Sequence, residues 1–142
     1  MTEPLSLREI IAARLEIGER IEEAFDVLSR LPDRTRAALG MQSLAWPLVV
    51  RKMFEDAPKD MTVRRPPPPA AQIDRMEEVL DWMVALGREN RKWATAVFLI
   101  CGRRKAVTAV ARTLGCHRHT AMTWCNSGLD FVAHARRLRL AA

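Results

Sequence analysis

The chain has 142 residues, 49% of them apolar, with 23 Lys and Arg against 17 Asp and Glu. That composition builds a core and argues against wholesale disorder. Three scattered Cys make no disulfide framework, Glu3 stands where a secretory leader carries only basic residues, and the longest strongly apolar stretch, Trp93 to Cys101, is far too short for a membrane span. With no Tyr and six Gly, the expectation is a soluble, intracellular, basic, all-α protein.

The first helix is expected from Ser6, where Ser6 and Glu9 form the S-x-x-E pattern that satisfies free N–H groups at a helix start. Leu7, Ile10, Arg14, Ile17, Ile21, Ala24, Leu28 and Leu31 follow at spacings of three and four. They make one stripe that wants burial, and Ile11, Leu15 and Phe25 widen it. The stripe either packs on the rest of the chain or dimerises. Pro32 closes the segment, because it cannot donate into a continuing helix.

Residues 33–45 read as a connector. Trp46-Pro47 then opens a short helix with Leu48, Val49, Met53 and Phe54 on its apolar face. Five of the eight prolines fall between Ala57 and Ala71, including Pro66 to Pro69. Such a run favours extended polyproline II and acts as a semi-rigid spacer. The division expected is therefore an N-terminal helical region (1–56), a proline-rich linker (57–71) and a C-terminal domain (72–142).

Four helical segments follow the linker. Ile73, Met76, Val79, Leu80, Met83 and Leu86 mark one, ended by Gly87. Trp93, Ala96, Val97, Ile100 and Cys101 mark a second, ended by Gly102. Ala106, Val107, Val110, Ala111 and Leu114 mark a third, ended by Gly115. Ala121, Trp124, Cys125, Leu129 and Val132 mark a fourth, which Gly128 is expected to end or bend.

Charge is divided unevenly along this plan. Residues 1–87 carry 12 basic and 15 acidic side chains, and residues 88–142 carry 11 basic and two acidic. A split of that kind suggests that one half meets a polyanion, the plainer reading being a solvated basic face.

The informative stretch is Lys105 to Leu129, KAVTAVARTLGCHRHTAMTWCNSGL. Two short helices meet abruptly only if their crossing is small and the turn tight. Ala111 is the small residue, Gly115 supplies a positive φ, and Ala121 and Trp124 then face inward. The pattern A-x3-G-x5-A-x2-W fits a helix-turn-helix, whose second helix enters the major groove of double-stranded DNA. The outward positions are then His117, Arg118, His119, Thr120, Met122, Thr123 and Asn126. Arg118 can bond guanine O6 and N7, Asn126 adenine N6 and N7, and Met122 can touch a thymine methyl. Arg103, Arg104, Lys105, Arg112, Arg136 and Arg137 are the phosphate candidates, with Arg139 beside them. If they neutralise five to seven phosphates, log affinity falls with log salt at a slope of roughly −5 to −6.

Residues 73–135 resemble region 4 of bacterial sigma-70-type factors and the related helix-turn-helix domains of two-component regulators. The resemblance rests on V-T-A-V-A-R-T-L-G-C-H-R-H-T-A-M-T-W. It departs at the cap, where His117 replaces the usual Ser or Thr and caps poorly. The whole chain resembles phage- and prophage-associated alphaproteobacterial proteins through Leu31-Pro32, Ala45-Trp46-Pro47, the proline run, Ile73 to Glu77 and the C-terminal motif. The activators of phage-derived gene transfer agents in alphaproteobacteria resemble this plan too. The resemblance implies a transcription regulator. An RNA polymerase-docking, sigma-like adaptor working with a co-activator protein, or a phage DNA-packaging small subunit, is the alternative. A homodimer through the N-terminal helix fits the first reading.

Other chemistry is less well supported. Cys116, His119, Cys125 and His134 read C-x2-H-x5-C-x8-H, a spacing that matches no zinc finger, so no metal or other cofactor is expected. A Cys/His nucleophile would lack an orienting group and an oxyanion loop, and no phosphate-binding G-x4-G-K-[ST] loop is present. No catalysis is expected. Trp82, Trp93 and Trp124 sit on apolar faces and read as core, although with Trp46 they could stack on bases.

Overall fold

A computed structural model describes residues 4–31, 51 and 66–141. The described residues are all-α: α1 (Leu7–Arg30), α2 (Ala70–Glu89), α3 (Arg91–Val97), a π turn (Phe98–Gly102), α4 (Val107–Leu114) and α5 (Arg118–Ala141). The expected connector and the helix of Leu48, Val49, Met53 and Phe54 lie outside the described residues, as does Trp46.

Helix α1 starts as its sequence dictates. The Ser6 hydroxyl accepts from the Glu9 N–H at 3.2 Å, and the Glu9 carboxylate accepts from the Ser6 N–H at 2.8 Å. Leu31 ends it in an extended conformation, φ −70° and ψ 142°, the backbone a residue before proline must take. Ile17, Ile21, Ala24, Leu28 and Leu31 are buried as the stripe predicts, and Val27 joins them. The N-terminal part of the stripe differs: Leu7, Ile11 and Leu15 are exposed, and Ile11 and Leu15 line a groove between α1 and α5 instead of entering the core.

What covers it comes from across the proline run. Buried residues of α1, α2, α3, the π turn, α4 and α5 form a single hydrophobic cluster. Each fully buried side chain of the size of Ile21, Leu28, Met83 or Leu86 contributes about 1.5–3 kcal/mol relative to exposure. Ion pairs fringe the cluster. Arg14 reaches Asp130 through two hydrogen bonds of 2.8 Å, and Arg75 reaches Glu23 at 2.8 and 3.1 Å. Arg30 donates to the Pro66 carbonyl and to Gln72, tying the end of α1 to the start of α2. Pro69 is extended, and α2 begins directly after it at Ala70.

Two expected helix ends, at Gly87 and Gly128, fall elsewhere, and the one at Gly102 stays in place with a change of pitch before it. Gly87 lies inside α2, which runs on to Glu89; Asn90 then stops it and caps α3, its Oδ1 accepting from the Lys92 and Trp93 N–H groups. The second segment changes pitch at Phe98, so Gly102 closes a π turn rather than an α-helix. Gly128 does not end α5, which continues to Ala141. Gly128 is instead a place of close approach, where an added Cβ would sit 2.6 Å from Val97 Cγ2 and 3.3 Å from Leu86 Cδ2. The residue trades helix propensity for contact between α5, α2 and α3.

Candidate nucleic-acid interface

Helices α4 and α5 are joined by three residues, and the local backbone explains the joint. Gly115 adopts φ 68° and ψ 35°, where a side chain would be strained. Its N–H donates to the Arg112 carbonyl, and the Cys116 N–H donates to the Ala111 carbonyl at 3.0 Å. These are the two bonds of a Schellman stop. Ala111 and Ala121 are both buried, the small residues of α4 and α5 that the sequence pattern turned inward.

The cap of α5 resolves the departure noted at His117. Its Nδ1 accepts from the His119 N–H at 3.1 Å, so the imidazole does the work of a Ser or Thr hydroxyl. That bond requires Nδ1 to be unprotonated and leaves Nε2–H directed elsewhere.

The seven candidate base-contacting residues are not presented equally. His117, Arg118, His119, Met122 and Thr123 are exposed on the first turns of α5, whereas Thr120 and Asn126 are half-buried. The Thr123 hydroxyl donates to the His119 carbonyl at 2.9 Å, so its oxygen faces outward as an acceptor. Asn126 and Met122 border a groove of about 470 Å³ shared with Ile11, Leu15, Glu19 and Glu22 of α1. The edge of α1 therefore stands beside the α5 face expected to read bases. Nothing in local sequence announces this neighbour, although Leu7, Ile11 and Leu15 at intervals of four mark a second apolar line on α1.

The phosphate candidates also divide. Lys105, Arg112 and Arg137 are exposed. Arg104 has φ 51°, left-handed for a residue with a side chain, and reaches Glu22 at 3.1 Å. Arg136 is paired with Glu16 at 2.7 Å and lies over the Trp82 ring. It also stands 18 residues beyond Arg118, about 27 Å along the helix. Arg103 is exposed and immediately precedes Arg104. The sequence from Asn90 to Leu129 contains seven cations (Arg91, Lys92, Arg103, Arg104, Lys105, Arg112 and Arg118) and no Asp or Glu. Acidic α1 brings Glu22 back to that stretch in space.

Two of the described tryptophans, Trp82 and Trp124, carry cations. Trp82 is buried beneath Arg20 and Arg136, and the half-buried Trp124 lies under Lys92 at 5.4 Å. Among the described residues no three His, Cys, Asp or Glu side chains converge to hold a metal ion. Cys125 faces Cys101 instead, Sγ to Sγ 3.9 Å. No helix among the described residues is long and apolar enough to cross a membrane.

A protein-family model described as "Domain of unknown function (DUF6362)" matches residues 29–132, from the end of α1 into α5. No curated protein and no solved structure matches the chain.

Proposed function

We propose that this chain, which belongs to the DUF6362 family, binds double-stranded DNA with sequence preference and regulates transcription without catalysing a reaction. The observation that carries the reading is the α4–α5 corner. A Schellman stop at Gly115 and a capped α5 present His117, Arg118, His119, Met122 and Thr123 together, within a stretch of sequence free of acidic residues. A helix start with outward polar side chains and cations on its flanks suits entry into a major groove, the arrangement of a helix-turn-helix. The sigma-like resemblance of residues 73–135 and the phage-type plan agree with that role.

Arg118 is the residue assigned to base edges first, being exposed on the first turn of α5. Of the phosphate candidates, Arg103, Lys105, Arg112 and Arg137 are exposed, whereas Arg104 and Arg136 are engaged by Glu22 and Glu16. With about four phosphates neutralised instead of five to seven, the salt slope becomes roughly −3 to −4. Selection from a pool of randomised duplexes, followed by gel-shift titration across salt, tests the proposal. An enriched motif with such a slope supports it; an unenriched pool and salt-independent binding sink it.

The groove between α1 and α5 favours a second reading. Apolar Ile11, Leu15 and Met122 are exposed beside acidic Glu19 and Glu22, a surface suited to protein. An adaptor docking on RNA polymerase would use it. Binding to purified RNA polymerase that survives Arg118→Ala but is lost in Ile11→Asp would favour the adaptor.

A further inference from the structure

We propose that Cys101 and Cys125 form an oxidation site, at which a hydroperoxide converts the two thiols into an intramolecular disulfide tying the π turn to α5. The inference does not depend on DNA binding. It starts from a juxtaposition: two free thiols, 24 residues apart in sequence, have their Sγ atoms 3.9 Å apart. Their surroundings differ in the way a reacting and a resolving thiol require. Cys101 is half-buried and Cys125 is 1% exposed, and the α1–α5 groove that both line opens past Ile11, Leu15 and Met122. A small peroxide entering there meets Cys101 as the more accessible sulfur. Gly18 of α1 completes the site, since a Cβ there would lie 3.6 Å from Cys101 Sγ.

Closing the bond requires the sulfurs to approach from 3.9 Å to about 2.05 Å. The π turn is the element suited to give. Its Arg103 N–H bonds the Phe98 carbonyl, and the Lys105 N–H reaches back to Leu99, both at 3.0 Å. The α-type ladder is thus already interrupted around Cys101, and π segments are locally less regular than the helices they interrupt. The proton is also placed suitably. The hydrogen bond shared with Cys101, and burial after it, keep the Cys125 thiol protonated far above the ordinary range, while the same bond holds the Cys101 thiol below its usual value.

The chemistry balances with a hydroperoxide as the sole oxidant. With hydrogen peroxide, the Cys101 thiolate attacks one peroxide oxygen, an S–O bond forms, the O–O bond breaks, and the departing hydroxide becomes water with the proton that the Cys101 thiol released. Cys125 sulfur then attacks the Cys101 sulfenic acid. An S–S bond forms, the S–O bond breaks, and the departing hydroxide takes the Cys125 proton as a second water. Two thiols lose two electrons, and one peroxide gains them.

The experiment treats the folded full chain with hydrogen peroxide, alkylates the remaining thiols and maps the peptides by mass spectrometry. The expected result is a Cys101–Cys125 cross-linked peptide two hydrogens lighter, with Cys116 alkylated. Two of the three thiols are lost, and dithiothreitol restores them. Cys101→Ser should leave Cys125 unoxidised. Cys125→Ala, a change a buried thiol tolerates as a small hydrophobe, should halt Cys101 at a sulfenic acid that dimedone traps. A disulfide involving Cys116, a disulfide between chains, or separate over-oxidation of Cys101 and Cys125 overturns the proposal. The wild-type peptide map decides it even if a variant fails to fold.

Discussion

The two faces of α5 belong to one unbroken helix yet meet different surroundings. Its first turns present Arg118, His119, Met122 and Thr123 to solvent, while Cys125, Gly128, Leu129 and Val132 are buried against the rest of the molecule. Asp130 and Arg136, in the second half, are bound to Arg14 and Glu16 of α1. The contrast teaches that the outward face owes its placement to the inward one. A short helix with as many exposed polar residues is marginal alone; continued into a core, it is held at a fixed orientation. It also shows that formal charge overstates the basic surface, because acidic α1 folds back onto the basic half and engages two of its arginines.

The largest effect expected from this comparison is on stability. Leu129→Ala should cost about 2–5 kcal/mol, the range for removing a buried leucine, whereas Met122→Ala should stay within about 0.5 kcal/mol. Urea unfolding of both variants makes the measurement. Similar midpoints would mean that the inward face of α5 is no more an anchor than the outward one.

Gly128 sharpens the same point with a single methyl. Ala is the better helix former by about 1 kcal/mol, so in an exposed helix Gly128→Ala would stabilise. Here the new Cβ meets Val97 Cγ2 at 2.6 Å, and a β-branched side chain cannot easily turn aside. Overpacking of this kind costs about 1–3 kcal/mol. The expected outcome is net destabilisation by thermal melt, and a rise in Tm would show that α5 can move away from α3.

On the proposed DNA reading, the two ends of α5 separate by binding rather than stability. Arg118→Ala should relax preference at one base pair by about 1–3 kcal/mol. Arg136→Ala should leave both the preference and the salt slope unchanged, costing at most about 1 kcal/mol of stability through its partly exposed pair with Glu16. Gel shifts against the selected site and its point variants distinguish them. A loss of salt slope in Arg136→Ala would place the second half of α5 on the nucleic acid as well.

Much of this was legible in the sequence where causes are local. The capping box at Ser6, the stop before Pro32, the positive φ at Gly115 and the inward Ala111 and Ala121 all depend on residues within a turn or two of each other. What was not legible depends on distant segments. Gly128 reads locally as a helix breaker and is in fact a contact with Val97, 31 positions earlier. Arg104 and Arg136 read as free cations, and their acids, Glu22 and Glu16, lie 82 and 120 residues away. Leu7, Ile11 and Leu15 fit the buried period, but periodicity does not say how far along α1 its cover extends. His117 was undervalued for another reason: ranking residues by capping preference omits that an unprotonated ring nitrogen accepts as a hydroxyl oxygen does.

The smallest effect expected concerns the far side of α1, the helix on which the second half of α5 leans. Glu23 is held below its ordinary value of 4.5, first by the hydrogen bond from Arg75, against some desolvation, and then by the charges of Arg75 and Arg20. A carboxylate whose pKa is lower folded than unfolded stabilises the fold at any pH above the unfolded value. That contribution disappears as pH falls through the folded value, because both states are then protonated. Wild type should therefore exceed Glu23→Gln in stability by a constant amount at neutral and mildly acidic pH, and the gap should narrow only below 4.5. Both side chains are partly exposed, so solvent and added salt should shrink the gap. Urea midpoints taken from neutral pH down to about pH 3 test this. A gap that persisted at the acid end would mean that Glu23 holds α1 by packing rather than by charge.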